Sequence, residues 1–518
     1  MPEYAKRLLP FFVAWFAVTG SAWAQSDPGT RPSSTAPMLL SSNASVSLLE
    51  AGRDDLFAFR LREAEASFTT LANRPDGRAA GMYYLASVSF LRYVMSDRDS
   101  DMEAFVLRSD ELRQTLEREP DTPWRHLLGA ETNMQRAVVW AKQGRYVRAA
   151  LSGRSAYLTY QGLVAEDPGM HEALKGFGLV KAAIASLPRT YRRFLALAGF
   201  SGDIDVGISS LRVAAKSGGY MAEESAICLA LFELMLDGVD AQAETRLREL
   251  RHAHPDSPLL AHLLGYYLLE ERRAAEAETE FRAAASNYGN PDVFYIDYVD
   301  YFLGMSLFRQ NRFEAAASYF DRYRRNHDGP ALMAPTMLHL GLALEMSGRR
   351  SEAESVYRDV SATREFDADL VSRRRAEKLV QQPMTSTERR LLRGANAFDA
   401  GNDDEAHTHL QVAAQDADAD ASVRAEAAYR LGRLRHEQGD YAPALTHYAE
   451  AVRIRGNELD RWAPWAEYHA GEVHAATGNL QAASAAYARA LSYEGSYDYF
   501  QALENSVRLA IRELGGES

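Results

Sequence analysis

The chain has 518 residues, 47% of them hydrophobic, with 58 Lys and Arg against 71 Asp and Glu and a formal net charge of −13. Its few Lys and many Arg are spread among carboxylates, which argues against a nucleic-acid groove, since that would need a basic stripe. The single cysteine, Cys228, excludes an internal disulfide, and no stretch reaches the ~20 apolar residues of a membrane-spanning helix.

At the N-terminus, Lys6 and Arg7 precede an apolar run from Leu8 to Val18 and the small-residue segment Gly20-Ser21-Ala22-Trp23-Ala24. This pattern predicts a signal peptide over residues 1–24, cleaved before Gln25, and hence an exported protein of the periplasm, the cell surface or the medium. Residues 25–44, rich in Ser, Pro, Thr and Gly without apolar periodicity, read as a flexible leader. Beyond them Ala, Leu, Glu and Arg recur with apolar side chains three and four apart, and alternating β-branched runs are nearly absent, which predicts helices throughout. Residues 45–255 read as a region of degenerate repeats, residues 256–495 as a regular array, and residues 496–518 as a closing helix and tail.

One spacing recurs: a Gly, then Ala at +12, a large residue at +16 and usually a small one at +19. The instances are Gly265 with Ala277, Phe281 and Ala284; Gly304 with Ala316 and Phe320; Gly341 with Ala353 and Tyr357; Gly394 with Ala406 and Leu410; Gly432 with Ala444 and Tyr448; and Gly471 with Ala483 and Tyr487. Such a spacing predicts a helix-turn-helix hairpin in which Gly on the first helix and Ala on the second let the backbones approach, while the large side chain fills the remaining gap. Gly348, Gly439 and Gly478 mark the turns as helix C-caps. Weaker copies run through Gly52, Ala64 and Phe68, through Gly144 and Ala149, through Gly202, Gly207 and Ala214, and through Gly238 and Ala243. Residues 366–381 read as an extra helix closed by Pro383, and the whole as about nine hairpins.

This pattern resembles the tetratricopeptide repeat, most closely from Leu431-Gly432 through Val452. The resemblance implies an all-α fold, a right-handed α-solenoid of helix-turn-helix repeats whose first helices line a concave face. A narrower similarity, carried by Ala185-Ser186-Leu187-Pro188, Gly199-Phe200-Ser201-Gly202-Asp203, Gly207, Leu211 and Ala214, is to the eukaryotic tetratricopeptide proteins of the inclusion-body-clearance type. It bears on architecture.

Signatures of catalysis are missing: there is no Gly-rich phosphate loop, no His-Glu-x-x-His and no Gly-x-Ser-x-Gly. Cys228 sits between Ala226 and Leu229 in a helical pattern and reads as a buried structural thiol. His252 with His254, and His407 with His409, lie two apart and point to different sides of a helix, so neither pair reads as a metal site. The run Asp416, Asp418, Asp420 has Ala421 where a calcium loop requires Gly. The chain is therefore expected to be no enzyme, with no metal and no cofactor.

What remains is the concave face. The repeat register places Tyr266, Tyr298, Tyr301, Arg309, His339, Tyr429, Arg430, Arg433, His436, Tyr468 and His469 there, with Glu472 beside the last. Tyr, Arg and His are what binding surfaces favour, and Arg430 with Arg433 would suit a carboxylate of the ligand. The Lys and Asn set with which chaperone-binding members of the family clamp a C-terminal carboxylate is absent. The expected function is an exported scaffold or adaptor that holds a protein partner in this groove, in cell-envelope assembly, a role compatible with peripheral association with a membrane. The alternative is a lipid or small-molecule carrier with an aromatic-lined groove. An enzyme would instead show perturbed ionisable groups converging in one cleft.

Overall fold

A computed structural model describes residues 39–185, 199–217, 219–236, 241–361, 367–457, 459–493 and 497–515. The signal segment, most of the leader, Ser186 to Pro188, Gly238 and Phe366 lie outside them. The described residues are an all-α solenoid of helical repeats, without strands.

Among the described residues there are twenty-four helices, and all but two pair into hairpins. In order the pairs are α1 (Asn43–Phe57) with α2 (Leu61–Ala72), α3 (Arg78–Ser96) with α4 (Asp99–Leu116), α5 (Pro123–Lys142) with α6 (Tyr146–Glu166), α7 (His171–Ala185) with α8 (Ile204–Lys216), and α9 (Ala222–Leu236) with α10 (Ala241–Ala253). Then come α11 (Pro258–Glu270) with α12 (Ala274–Ala285), α13 (Tyr298–Arg309) with α14 (Phe313–Asn326), and α15 (Met333–Met346) with α16 (Arg350–Arg358). The unpaired α17 (Asp367–Gln381) precedes α18 (Ser386–Ala400) with α19 (Asp403–Gln415), α20 (Ala421–Glu437) with α21 (Tyr441–Ile454), α22 (Trp462–Ala476) with α23 (Leu480–Leu491), and the terminal α24 (Phe500–Leu514). Eleven hairpins among the described residues exceed the nine or so expected: the strong and weak copies of the spacing account for ten, and α3/α4 closes without one. Pro291 and Asp292 lie in a turn, and α13 begins at Tyr298.

The recurring spacing does what its residue types require. A Cβ built on Gly432 would come 2.5 Å from the Tyr448 ring, on Gly304 2.7 Å from Phe320, on Gly394 2.8 Å from Leu410 and on Gly265 2.9 Å from Phe281. Gly341 meets Tyr357, and Gly471 meets Tyr487, in the same way. Gly52 and Phe68, in the first of the upstream copies, repeat the contact at 2.5 Å. The matching Ala277, Ala316, Ala353, Ala406, Ala444 and Ala483 are fully buried.

The hairpin turn has its own rule. Two residues before the second helix the backbone is left-handed, at Gly144, Gly348, Gly401, Gly439 and Gly478, and also at Phe59, Arg272 and Asn311. The last two offset the strain with side-chain contacts to α18 and its surroundings: Arg272 donates to the Phe398 carbonyl at 2.6 Å and lies 3.9 Å over the Phe398 ring, and Asn311 donates to the Arg393 carbonyl at 3.2 Å.

The chain divides into two compact units. One comprises the residues up to Tyr267 with Glu280–Val299 and His327–Gly329; the other comprises Leu268–Thr279, Asp300–Asn326 and everything from Pro330. In the second unit, α24 buries Leu503, Val507 and Ala510 on the hairpin α22/α23.

Candidate functional site

In the second unit, α20 and α22 are the first helices of successive hairpins and lie side by side. Asp420 caps α20, its side chain accepting from the Ser422 amide at 2.8 Å. The +4 and +3 steps from Tyr429 to Arg433 to His436 put these three on one face, and the +3 step from His469 to Glu472 does the same on α22. Tyr448 reaches the cluster from α21.

His469 is the centre. The Arg433 guanidinium lies 3.2 Å from its Nε2 and the Tyr429 hydroxyl 3.1 Å from the same atom, while Nδ1 lies 2.5 Å from Glu472 Oε2. Because a guanidinium only donates, Nε2 accepts, and the proton therefore sits on Nδ1, which donates to Glu472. Burial, then the Arg433 charge, push the imidazole down to about 4, so it is neutral near pH 7. Glu472 loses hydration, which works against its charge, yet His469 and Arg433 hold its carboxyl at about 2. The His436 imidazole, also pushed down by burial, places Nδ1 3.3 Å from the Tyr448 hydroxyl.

His469 is 4% exposed, but the side chains of Arg433 and Glu472 keep 27% and 36% of their surface. The cluster thus has a buried floor and reachable walls. Tyr468 stands edge-on to His469 at 4.9 Å, and burial together with Glu472 keeps its hydroxyl protonated. Arg430 pairs with Glu426 at 2.8 Å and Asp399 at 3.7 Å and lies 5.7 Å over Trp462, so it and Arg433, which holds Glu437 at 2.7 Å, already face carboxylates of the protein.

His436, His469 and Glu472 bring one ligand atom each within 4.8 Å of one another. Two imidazoles and a carboxylate would suit zinc, but the Arg433 guanidinium at His469 Nε2 sets a permanent positive charge where a dication would go, and the arrangement is better satisfied as a hydrogen-bond network.

The other predicted site residues do not join this cluster. Tyr301 is 1% exposed and packs on Phe320 and Tyr323. Arg309 donates to the Leu269 carbonyl at 2.6 Å, binding α13 to the end of α11. His339 places Nδ1 2.7 Å from the Pro335 carbonyl, its ring against Phe308 and Phe320, and burial pushes it down to about 4. In the first unit Tyr266 is 1% exposed and Tyr298 5%, the latter 5.1 Å from the His327 ring. These side chains pack between helices, all of them buried except the partly exposed His339.

Sequence reasoning missed a buried ionic centre in the first unit. Lys175 of α7, 2% exposed, lies 2.5 Å from Glu131 of α5 and 3.8 Å from Glu224 of α9. Glu131 also accepts from the Tyr160 hydroxyl at 2.8 Å and the Tyr83 hydroxyl at 3.4 Å. Its closure marks it as structural. The available signal was Lys175 standing in line with Leu179 and Ala182 on an apolar face, in a chain that has only five other Lys.

Comparison with known proteins bears on the fold. Residues 345–510 match the profile of the tetratricopeptide repeat-like domain, and residues 301–367 that of the tetratricopeptide repeat. No curated protein matches the chain in sequence. Solved structures similar to it include yeast Tom70 (12% identity, 84% of this chain and 82% of that one, TM-score 0.32) and the human IFIT1 dimer with m7Gppp-AAAA (16%, 85% and 94%, 0.32). A third is the Cut9–Hcn1 hetero-tetramer of the APC/C (14%, 92% and 92%, 0.29).

Proposed function

We propose, taking as premise that this is a tetratricopeptide-repeat protein whose repeats run through residues 301–510, that it is a non-enzymatic scaffold holding an extended segment of a protein partner against α20 and α22. The observation that carries this reading is the His469 cluster, a polar network with a fixed floor and with Arg433, His436, Tyr468 and Glu472 as partly exposed walls. Preorganised donors and acceptors of this kind lower the ordering cost of binding. On its reachable walls the carboxylates Asp399, Glu437 and Glu472 keep 37%, 44% and 36% of their side-chain surface, against 16% for Arg430 and 27% for Arg433, so the charge a partner meets there is mainly carboxylate. Such a site favours a Lys, Arg or free amine of the partner rather than a carboxylate.

The test is photo-crosslinking in the native host with the probe at His436 and separately at Tyr468, both on the wall, and at Arg453 as an outward-facing control. One protein adduct common to both wall positions and missing from Arg453 is expected, and its loss in Glu472→Gln would tie it to the charge of the site. Adducts identical at all three positions, or none at the wall, would remove the scaffold reading.

Export to the cell envelope is the second part of the proposal, resting on the charged, apolar and small-residue pattern of residues 1–24. Residues 1–42 fused to a phosphatase that is active only outside the cytoplasm should give activity, and a silent fusion would refute it.

A further inference from the structure

The interspersion of cations and carboxylates fails in one stretch: from Thr132 to Ala165 the chain has no Asp or Glu and five cations, Arg136, Lys142, Arg145, Arg148 and Arg154, within a protein whose net charge is −13. The stretch spans the second half of α5, its turn and nearly all of α6, in the first unit. Tyr157 and Tyr160 of α6 point inward and are buried, while Val147 (76% exposed), Leu151 (66%) and Leu158 (43%) point outward, with Tyr146 (70%) at the start of the helix. Among the described residues no other large apolar side chains are as exposed as Tyr146, Val147 and Leu151. Their spacing, Val147, Leu151, Arg154 and Leu158, makes a single stripe along the helix.

The cations beside this stripe form a second, independent feature. The Arg136, Arg145 and Arg148 guanidinia lie 5.6, 5.3 and 5.5 Å from the Trp140 ring. Arg136 is paired with Asp110 at 2.7 Å, whereas Arg145 and Arg148, both exposed, have no carboxylate within ion-pair distance among the described residues. Two uncompensated guanidinia on an indole, next to an exposed aliphatic stripe, unite the two attractions an interfacial helix uses: burial of apolar side chains at the acyl boundary and attraction of cations to anionic headgroups. Protein interfaces, by contrast, deplete charge at their centre.

We infer that α6 and the turn before it form a docking face for an anionic lipid surface, Tyr146, Val147, Leu151 and Leu158 entering the headgroup layer and Arg145 and Arg148 binding lipid phosphates. The face is separate from the α20/α22 cluster and does not depend on that cluster's reading.

The experiment is flotation of the full chain with vesicles of phosphatidylglycerol and phosphatidylcholine mixed, against phosphatidylcholine alone. Binding to the anionic vesicles is expected, falling with added salt and about tenfold or more in Arg145→Glu/Arg148→Glu; Val147→Ser/Leu151→Ser should lose binding at every salt concentration. These four positions are exposed, and an unchanged thermal melt separates lost binding from lost folding. A bimane label on Leu151→Cys, selective because Cys228 is 1% exposed, should shift to the blue on the anionic vesicles alone. Equal binding to both vesicle types, or binding unchanged in the charge-reversed variant, would overturn the proposal. So would a protein crosslinked at Leu151 in a chain that ignores both vesicles, which would assign the face to an acidic partner.

Discussion

The His469 imidazole shows how single residues set the pH behaviour of the fold. Its folded value, about 4, lies below the ordinary 6.5, and His339 in the same unit is likewise at about 4. A base whose folded value is depressed contributes stability that is complete above 6.5 and is lost as the pH falls toward 4, because the unfolded chain takes up the proton first. The second unit should therefore weaken between pH 6.5 and pH 4, each histidine adding up to about 1.4 kcal/mol per pH unit. His339→Gln keeps a donor for the Pro335 carbonyl but does not titrate, so urea melts at pH 7 and pH 5 should differ less in that variant than in the parent; an unchanged difference would mean His339 is not the titrating group. His327 in the first unit acts in the opposite sense: burial opposes its charge, but Asp297 and Asp97 raise it, so its contribution is present at low pH and fades as the pH rises. At this scale the sequence was legible where the helical step alone decides position, as for Tyr429, Arg433 and His436. It was not legible at Tyr266, Tyr298 and Tyr301, because the concave face and the seam between neighbouring hairpins share one periodicity, and only the packed neighbours decide which of the two a tyrosine faces.

Among the elements, the hairpin is the unit that the sequence spelled out, because its close approach needs specific residue types at fixed offsets. That makes Gly432 and Gly439 a useful contrast. Gly432→Ala gains about 1 kcal/mol of helix propensity, but its Cβ would sit 2.5 Å from the Tyr448 ring, and overpacking costs about 1–3 kcal/mol. We expect a net loss in urea denaturation, and a smaller one when the substitution is made in a Tyr448→Leu background, where a flexible side chain that can give way replaces the ring. Gly439 has φ 77° and nothing within 4 Å of a built Cβ, so Gly439→Ala should cost about 1 kcal/mol from the backbone alone, with no rescue by any partner. Equal losses in Gly432→Ala with and without Tyr448→Leu would show that the spacing does not act through this contact. The turns were harder to read where Arg272 and Asn311 take the left-handed place that Gly holds elsewhere, since nothing in their identity announces that the far ends of their side chains offset the strain.

For the whole molecule, composition and period were enough for an all-α repeat array, yet they hid the ionic centre of the first unit. Lys175, Glu131 and Glu224 come from three hairpins, 44 and 49 residues from the lysine, and no local pattern marks residues so far apart as neighbours. Burial disfavours the ammonium, but Glu131 and then Glu224 outweigh it and keep Lys175 charged. A buried ion pair of this kind adds little net stability over an apolar replacement, whereas removing one member leaves a charge without compensation. Lys175→Met should therefore destabilise the first unit by about 3 kcal/mol or more, seen as faster amide exchange across residues 123–142, 171–185 and 222–236 together, since the centre joins those three helices. Lys175→Met/Glu131→Gln removes one of the two stranded carboxylates while an amide can still accept from Tyr160, so exchange should slow again in the double variant. If the double variant exchanges as fast as Lys175→Met, the loss comes from the packing of the lysine stem and not from an uncompensated charge, and the centre holds the hairpins together by shape alone.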